Sequence, residues 1–271
     1  MTTTTSAEVA GGAPATLDPR PRPAADALTI AWRNVVNLRR NPQLLVFATI
    51  QPVIFVLMFR YVFGGAISVP GVPYVDYLMP GIFVQTVVFG ALTTGVGLAE
   101  DLQKGLIERF RSLPMARSAV LVGRTLADLA RNVFVVVLMV VVGLLIDWRI
   151  HTNVLAAAAG LGLVLGFAYS LSWVFAVVGL TAPDSETAQA ASFPVLAPLV
   201  FASSAFVPVA SMPGWLQPWA EHQPVSVVVD AVRALTLGGP TRSEVVAALA
   251  WIVGIVAVFA PVAVARYRRV A

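Results

Sequence analysis

Charge is what this chain has least of. Only 12% of its 271 residues are Asp, Glu, Lys or Arg, 58% are hydrophobic, and the mean hydropathy is +0.82. A soluble domain carries about 25% charged residues. Half that density cannot cover a water-facing surface, so a soluble globular protein is excluded and an integral membrane protein remains. Cysteine is absent, which removes disulfides and thiolate metal sites. The two histidines, His151 and His222, stand far apart and make no metal-ligand spacing. Lysine occurs once, at Lys104, and Gly105 follows it. A Walker A loop needs Lys followed by Ser or Thr, so this chain does not hydrolyse ATP by that device. A membrane enzyme needs acids, His or Cys clustered at the surface. Here the acids are scattered, with Glu100–Asp101 and Asp184–Glu186 the only close cytoplasmic pairs. An ATP-independent secondary transporter needs ionisable groups inside its spans, and only Arg60, Asp128 and Arg131 come near.

What is present is a series of uncharged runs. A bilayer core of about 30 Å takes roughly 20 helical residues. The runs predict six spans, at about 43–63, 77–99, 122–146, 154–182, 187–207 and 245–265. The third run, Asn132–Ile146, rises only about 22 Å. Its helix must start earlier, which brings Arg131 and Asp128 near the membrane edge. The uncharged run 187–220 is too long for one helix and holds five prolines, so it is divided after Val207. Residues 1–26, rich in Thr, Ala, Pro and Gly, read as a disordered tail, because nothing in them is apolar enough to pay for order. No internal repeat is apparent.

Arginine fixes the expected orientation. Arg20, Arg22, Arg33, Arg39 and Arg40 precede the first span. Lys104, Arg109, Arg111, Arg117 and Arg124 lie between the second and third, and Arg266, Arg268 and Arg269 follow the last. Those are thirteen of the 18 basic residues, and only Arg149, Arg233 and Arg242 fall on the other side. By the positive-inside rule both termini are cytoplasmic in the plasma membrane. The net charge of +4 then reads as an orientation signal and not as affinity for nucleic acid.

Three segments are not spans. In residues 27–41, Leu28, Ala31, Trp32, Val35 and Leu38 form one apolar face, with Arg33, Asn34, Asn37 and Arg40 mostly opposite and Pro42 closing the stretch. This is the pattern of an interfacial helix on the inner leaflet. In residues 100–114, Leu102, Leu106, Ile107, Phe110 and Leu113 line one face and Asp101, Lys104, Glu108 and Arg111 the other. Periodicity leaves two readings level: a solvated loop helix, or a docking helix for a protein partner. In residues 211–239, Trp215 and Trp219 sit one turn apart, and a second short helix starts at Pro224 and ends at Gly238–Gly239. That predicts a re-entrant hairpin on the outer side, tolerated where its backbone lies against protein. Asp230 and Arg233, three apart, are placed to form a local ion pair.

Together, EDLQKGLIERFRSLPM after the second span and FVPVASMPGWLQPWAEHQPVSVVVDAVRAL after the fifth resemble the ABC type-2 exporter permeases, most closely the daunorubicin-resistance type of actinobacteria. The resemblance covers residues 27–271 and implies an all-α polytopic transmembrane domain. It implies that residues 100–114 are a coupling helix seated on a separate ATP-binding subunit, with Leu102, Lys104, Gly105, Leu106, Glu108, Arg109, Arg111, Leu113 and Pro114 as the contact region. Asp128 and Arg131 match a polar pair at the foot of the third span, and Arg60 departs from the family pattern. ATP and Mg would sit on the partner, and two permease copies, identical or related, would pair with two ATPases. Gln85, Thr86, Thr93 and Thr94 of the second span and Ser203 and Ser204 of the fifth are the polar residues of the implied translocation path. Their plainer role is helix–helix hydrogen bonding, worth about 0.6 kcal/mol each. An uncharged lining suits a hydrophobic or amphipathic substrate, a drug or antibiotic, with a lipid or glycan carrier as the alternative.

Overall fold

The computed structural model describes residues 42–67, 69–105 and 117–270. Eight α-helices are seen among these residues, and no strand. They are α1 (Pro42–Leu57), α2 (Tyr74–Gln103), α3 (Arg117–Leu145), α4 (Val154–Thr181), α5 (Ser185–Phe201), α6 (Gln217–His222), α7 (Pro224–Leu237) and α8 (Thr241–Val270). A π-helical turn, Met58–Phe63, continues α1 without a break. The expected tail at 1–26, the interfacial helix at 27–41 and residues 106–114 of the coupling segment lie outside the described residues.

The helix starts follow from local chemistry. Asn153 caps α4 by accepting the Ala156 N–H at 2.7 Å. Asp184 caps α5 by accepting the Thr187 N–H at 2.6 Å, and that bond holds its carboxyl below the usual carboxylate range. Pro224 opens α7, where a missing N–H costs nothing. Gly238, at φ +97°, ends it.

Among the described residues, four helices are long and apolar enough to cross a bilayer: Tyr74–Gln103, Leu121–Leu145, Val154–Thr181 and Thr241–Arg269. A multi-pass membrane protein follows. The expected first and fifth spans are shorter: Ala48–Phe63 is apolar but below that length, and α5 has 17 residues. The expected fifth span reached residue 207, but the helix ends at Phe201. The reason is partly tertiary. The Ser204 N–H is taken by the Ser226 hydroxyl of α7 at 3.0 Å and the Ala205 N–H by the Ser203 hydroxyl at 3.2 Å, so neither continues the helical ladder.

The bundle has two ends, one at Tyr74 and one at Gln103. The main apolar core fills the Tyr74 half, with Leu78, Ile82, Phe83, Met139, Phe167, Val228 and Val232 fully enclosed or nearly so. A smaller core at the Gln103 end joins Leu98, Leu121, Trp173, Leu180 and Tyr267. Helix α2 is the hub because its backbone admits close neighbours. A Cβ on Gly179 of α4 would fall 2.2 Å from the Gly95 carbonyl oxygen, and one on Gly95 would fall 2.6 Å from that of Phe175. Glycine is required on both sides of this crossing, the small-residue packing of membrane helices. Helix α8 lies at the periphery, with Val246, Val253 and Val258 exposed. In a bilayer such a face is covered by lipid, not water.

Candidate functional site

At the Gln103 end the structure builds a charged rim. Glu100 and Asp101 do not open a separate helix there; they belong to the last turn of α2. Lys104 caps that helix and Gly105 breaks it at φ +64°, a conformation glycine adopts freely. Lys104 Nζ meets Glu100 Oε1 at 2.5 Å, and this bond holds the ammonium above its usual range. Leu102 is half-buried. Arg124 of α3 pairs with Asp101. A Cβ at Gly97 would fall 1.8 Å from an Arg124 nitrogen, so Gly97 makes room for that guanidinium to lie across α2. Leu106, Glu108, Arg109, Arg111, Leu113 and Pro114 lie outside the described residues.

A first polar knot ties α2, α3 and α4. Arg131 Nη1 lies 3.8 Å from Asp128 Oδ1, its other nitrogen donates to the Gly90 carbonyl at 2.6 Å, and it also reaches Thr93. Thr94 donates to Asp128 Oδ2 at 2.7 Å and lies 3.4 Å from Ser172 Oγ. Both residues lie in α3 (Arg117–Leu145), directly before its uncharged stretch from Asn132. A pair this enclosed, with side chains 11% and 13% exposed, needs further hydrogen bonds to offset its lost hydration, and Thr93, Thr94 and the Gly90 carbonyl supply them.

A second knot, at the Tyr74 end, centres on Arg233 of α7. The expected pair with Asp230 is present at 2.9 Å. The guanidinium also donates to the carbonyls of Tyr77 at 3.1 Å, Ser204 at 2.6 Å and Ala205 at 3.2 Å. It lies 3.5 Å above the centre of the Tyr77 ring. Ser204 donates to Asp230 at 2.9 Å, and its N–H is taken by Ser226 at 3.0 Å. Tyr74 and Tyr77 donate to the carbonyls of Phe206 and Ser204, each at 3.1 Å. One arginine thus fastens α2, the end of α5 and α7.

The six residues expected on a path are mostly interior in the single chain. Gln85, Thr86, Thr94, Ser203 and Ser204 are buried. Thr86 donates to the Ile82 carbonyl at 2.7 Å and Ser203 to that of Val200 at 2.5 Å. Gln85 Oε1 is enclosed without a partner. Thr93 is the exposed member of the set.

A third cluster was not anticipated. Asp76 is enclosed, with Oδ1 accepting the Arg149 backbone N–H at 2.8 Å and Oδ2 2.7 Å from His151 Nε2. The His151 N–H reaches the Thr236 carbonyl at 2.8 Å, so the loop after α3 is stapled to both α2 and α7. The only signal in the sequence was an acid directly before an uncharged run, in the first turn of its helix, the position a helix dipole favours.

The comparisons fit this architecture. The ABC-2 type transporter family profile matches residues 26–237. The daunorubicin resistance ABC transporter permease protein DrrB1 of Streptomyces coeruleorubidus is 36% identical over 89% of this chain and 85% of its own length. The probable doxorubicin resistance permease DrrC of Mycobacterium tuberculosis is 26% identical over 90% of this chain and 89% of its own. A putative transport permease, ycf38, of Pyropia yezoensis is 25% identical over 75% of this chain and 71% of its own. The protein is thus a membrane permease subunit, and the chain belongs to the ABC-2 type transporter family.

Proposed function

We propose that this chain is the transmembrane subunit of an exporter driven by a separate ATP-binding subunit, and that its cargo is a hydrophobic or amphipathic compound such as an antibiotic. The observation that carries the cargo class is the 36% identity, over 89% of the chain, to a permease named for daunorubicin resistance. The spans agree with it. Within them the charges of Asp128 and Arg131 are tied to each other and to neighbouring groups, so that pair is not free to coordinate a bare ion. Six spans place both termini in the cytoplasm, with the Gln103 end toward the ATPase and the α6–α7 hairpin in the outer leaflet. The exposure of Trp215 and Trp219 suits an interfacial position. Two permease copies meet two ATPases, and ATP with Mg is held by those partners.

Docking rests on the segment that leaves the rim at Gly105. Glu108 and Arg111, on its polar face, contact the ATP-binding subunit, while its apolar face lies along that subunit's cleft. Replacing both with Ala removes two charged anchors. A central anchor of an interface is worth about 2 kcal/mol or more, so losing both should lower affinity for the ATPase by at least about thirtyfold. The test is co-purification with the ATP-binding subunit and daunorubicin efflux from cells. If neither changes, the docking role is wrong. Retained docking with no efflux of any amphipathic drug would leave the motor and remove the cargo.

A further inference from the structure

Arg60 stands apart from the other arginines in the apolar helices. Arg131 and Arg233 each find a carboxylate and backbone carbonyls within reach. Arg60 has no carboxylate partner among the described residues, and its Nε is shut off without an acceptor. The Tyr61 ring lies 5.9 Å from its guanidinium carbon. An arginine in apolar surroundings with donors unmet costs far more than one that finds an anion.

Its position limits what that anion is. Arg60 follows Pro42, the first residue of α1, by 18 positions, or about 27 Å of helix. A hydrocarbon core of about 30 Å then sets the guanidinium at the opposite headgroup layer, at the Tyr74 end, where Phe59 stacks on Phe206 at 4.6 Å. Tyr61 and Val62 are 69% and 70% exposed, so this face looks outward from the chain, and Tyr61 is the ring expected at a membrane interface. The backbone here is a π turn, Met58–Phe63, a distortion that recurs at functional sites. Its end is kept open by Gly64, whose Cβ would fall 2.3 Å from the Arg60 carbonyl oxygen. Arginine's planar fork matches phosphate oxygens in pairs, and lipid phosphates are the abundant anions at that depth. A free phosphate would need an aqueous pocket, whereas Phe59, Tyr61, Val62 and Phe63 flank this group.

We infer that Arg60 binds the phosphodiester of an anionic lipid headgroup in the leaflet at the Tyr74 end of the bundle. The inference needs the chain to span a bilayer and does not depend on the cargo. The test uses the full chain with its ATP-binding subunit in neutral detergent and phosphatidylglycerol as the probe. Native mass spectrometry should show one lipid fewer per chain for Arg60→Gln than for wild type, while Arg60→Lys, which keeps the charge, retains that lipid more weakly. Equal lipid numbers in wild type and Arg60→Gln would overturn the site, and displacement of the lipid by inorganic phosphate alone would overturn the lipid source. A second measurement needs no variant. Wild type in vesicles containing photoreactive phosphatidylglycerol should carry its adduct on residues 58–63, and its absence there would overturn the proposal.

Discussion

Arg233 shows how a single side chain holds three elements. Its donors are taken by one carboxylate and three carbonyls, and its flat face by the Tyr77 ring. Removing it strands those acceptors in an apolar setting. Breaking a buried pair costs about 3–5 kcal/mol, and because Asp230 is 39% exposed the lower end applies. Arg233→Ala should lose about 3 kcal/mol of stability, read by thermal unfolding in detergent. Arg233→Lys should recover part of this, since an ammonium keeps the charge but not the fork. Equal stability of Arg233→Ala and wild type would refute the role. At this scale the sequence showed half of each site. The i, i+3 spacing of Asp230 and Arg233 and of Asp128 and Arg131 was readable. Their remaining partners, Tyr77, Ser204, Thr94 and Gly90, are many residues away, and no local pattern points to them.

At the scale of elements, hydropathy located the helices well, because each backbone polar group in a bilayer must be satisfied within its own segment. Observed ends shifted where a side chain intervened. Helix α2 extends back to Tyr74 because its first turn buries Asp76 under Arg149 and His151. It extends forward to Gln103 because the rim pairs Asp101 with Arg124 and Glu100 with Lys104. Which helices touch was not readable; that depends on which glycines face each other. Gly95 and Gly179 do, whereas Gly162 of the same α4 has nothing within 4 Å of its would-be Cβ. Gly179→Ala should therefore force α2 and α4 apart and cost about 2 kcal/mol. Gly162→Ala should be neutral or gain up to about 1 kcal/mol from helix propensity. Thermal unfolding of the two variants side by side tests the crossing, and equal losses would contradict it.

For the whole molecule, the proposed orientation has a direct test, because the chain has no cysteine of its own. Ser211 and Gln103 are both exposed and lie at opposite ends of the bundle. In intact cells a membrane-impermeant maleimide should label Ser211→Cys, and it should label Gln103→Cys only after lysis. The reverse pattern would invert the topology and place the charged rim away from any cytoplasmic ATPase. The same geometry bears on the path. Five of the six polar span residues are spent inside one chain, so a path between two copies would meet the exposed apolar faces and Thr93 first.

The sequence by itself determined that this is a multi-pass helical membrane protein, and where the four long apolar helices among the described residues run. Hydropathy and charge are local sums, and a bilayer reads them segment by segment. Only the tertiary structure decided that Asp128 and Arg131 are tied to Thr94 and the Gly90 carbonyl of α2, that Arg233 fastens three elements, and that Asp76 is held by His151. It also decided that Arg60 is left without an acidic partner among the described residues. Satisfying a buried charge takes groups brought together from distant parts of the chain, and only the packed fold brings them there.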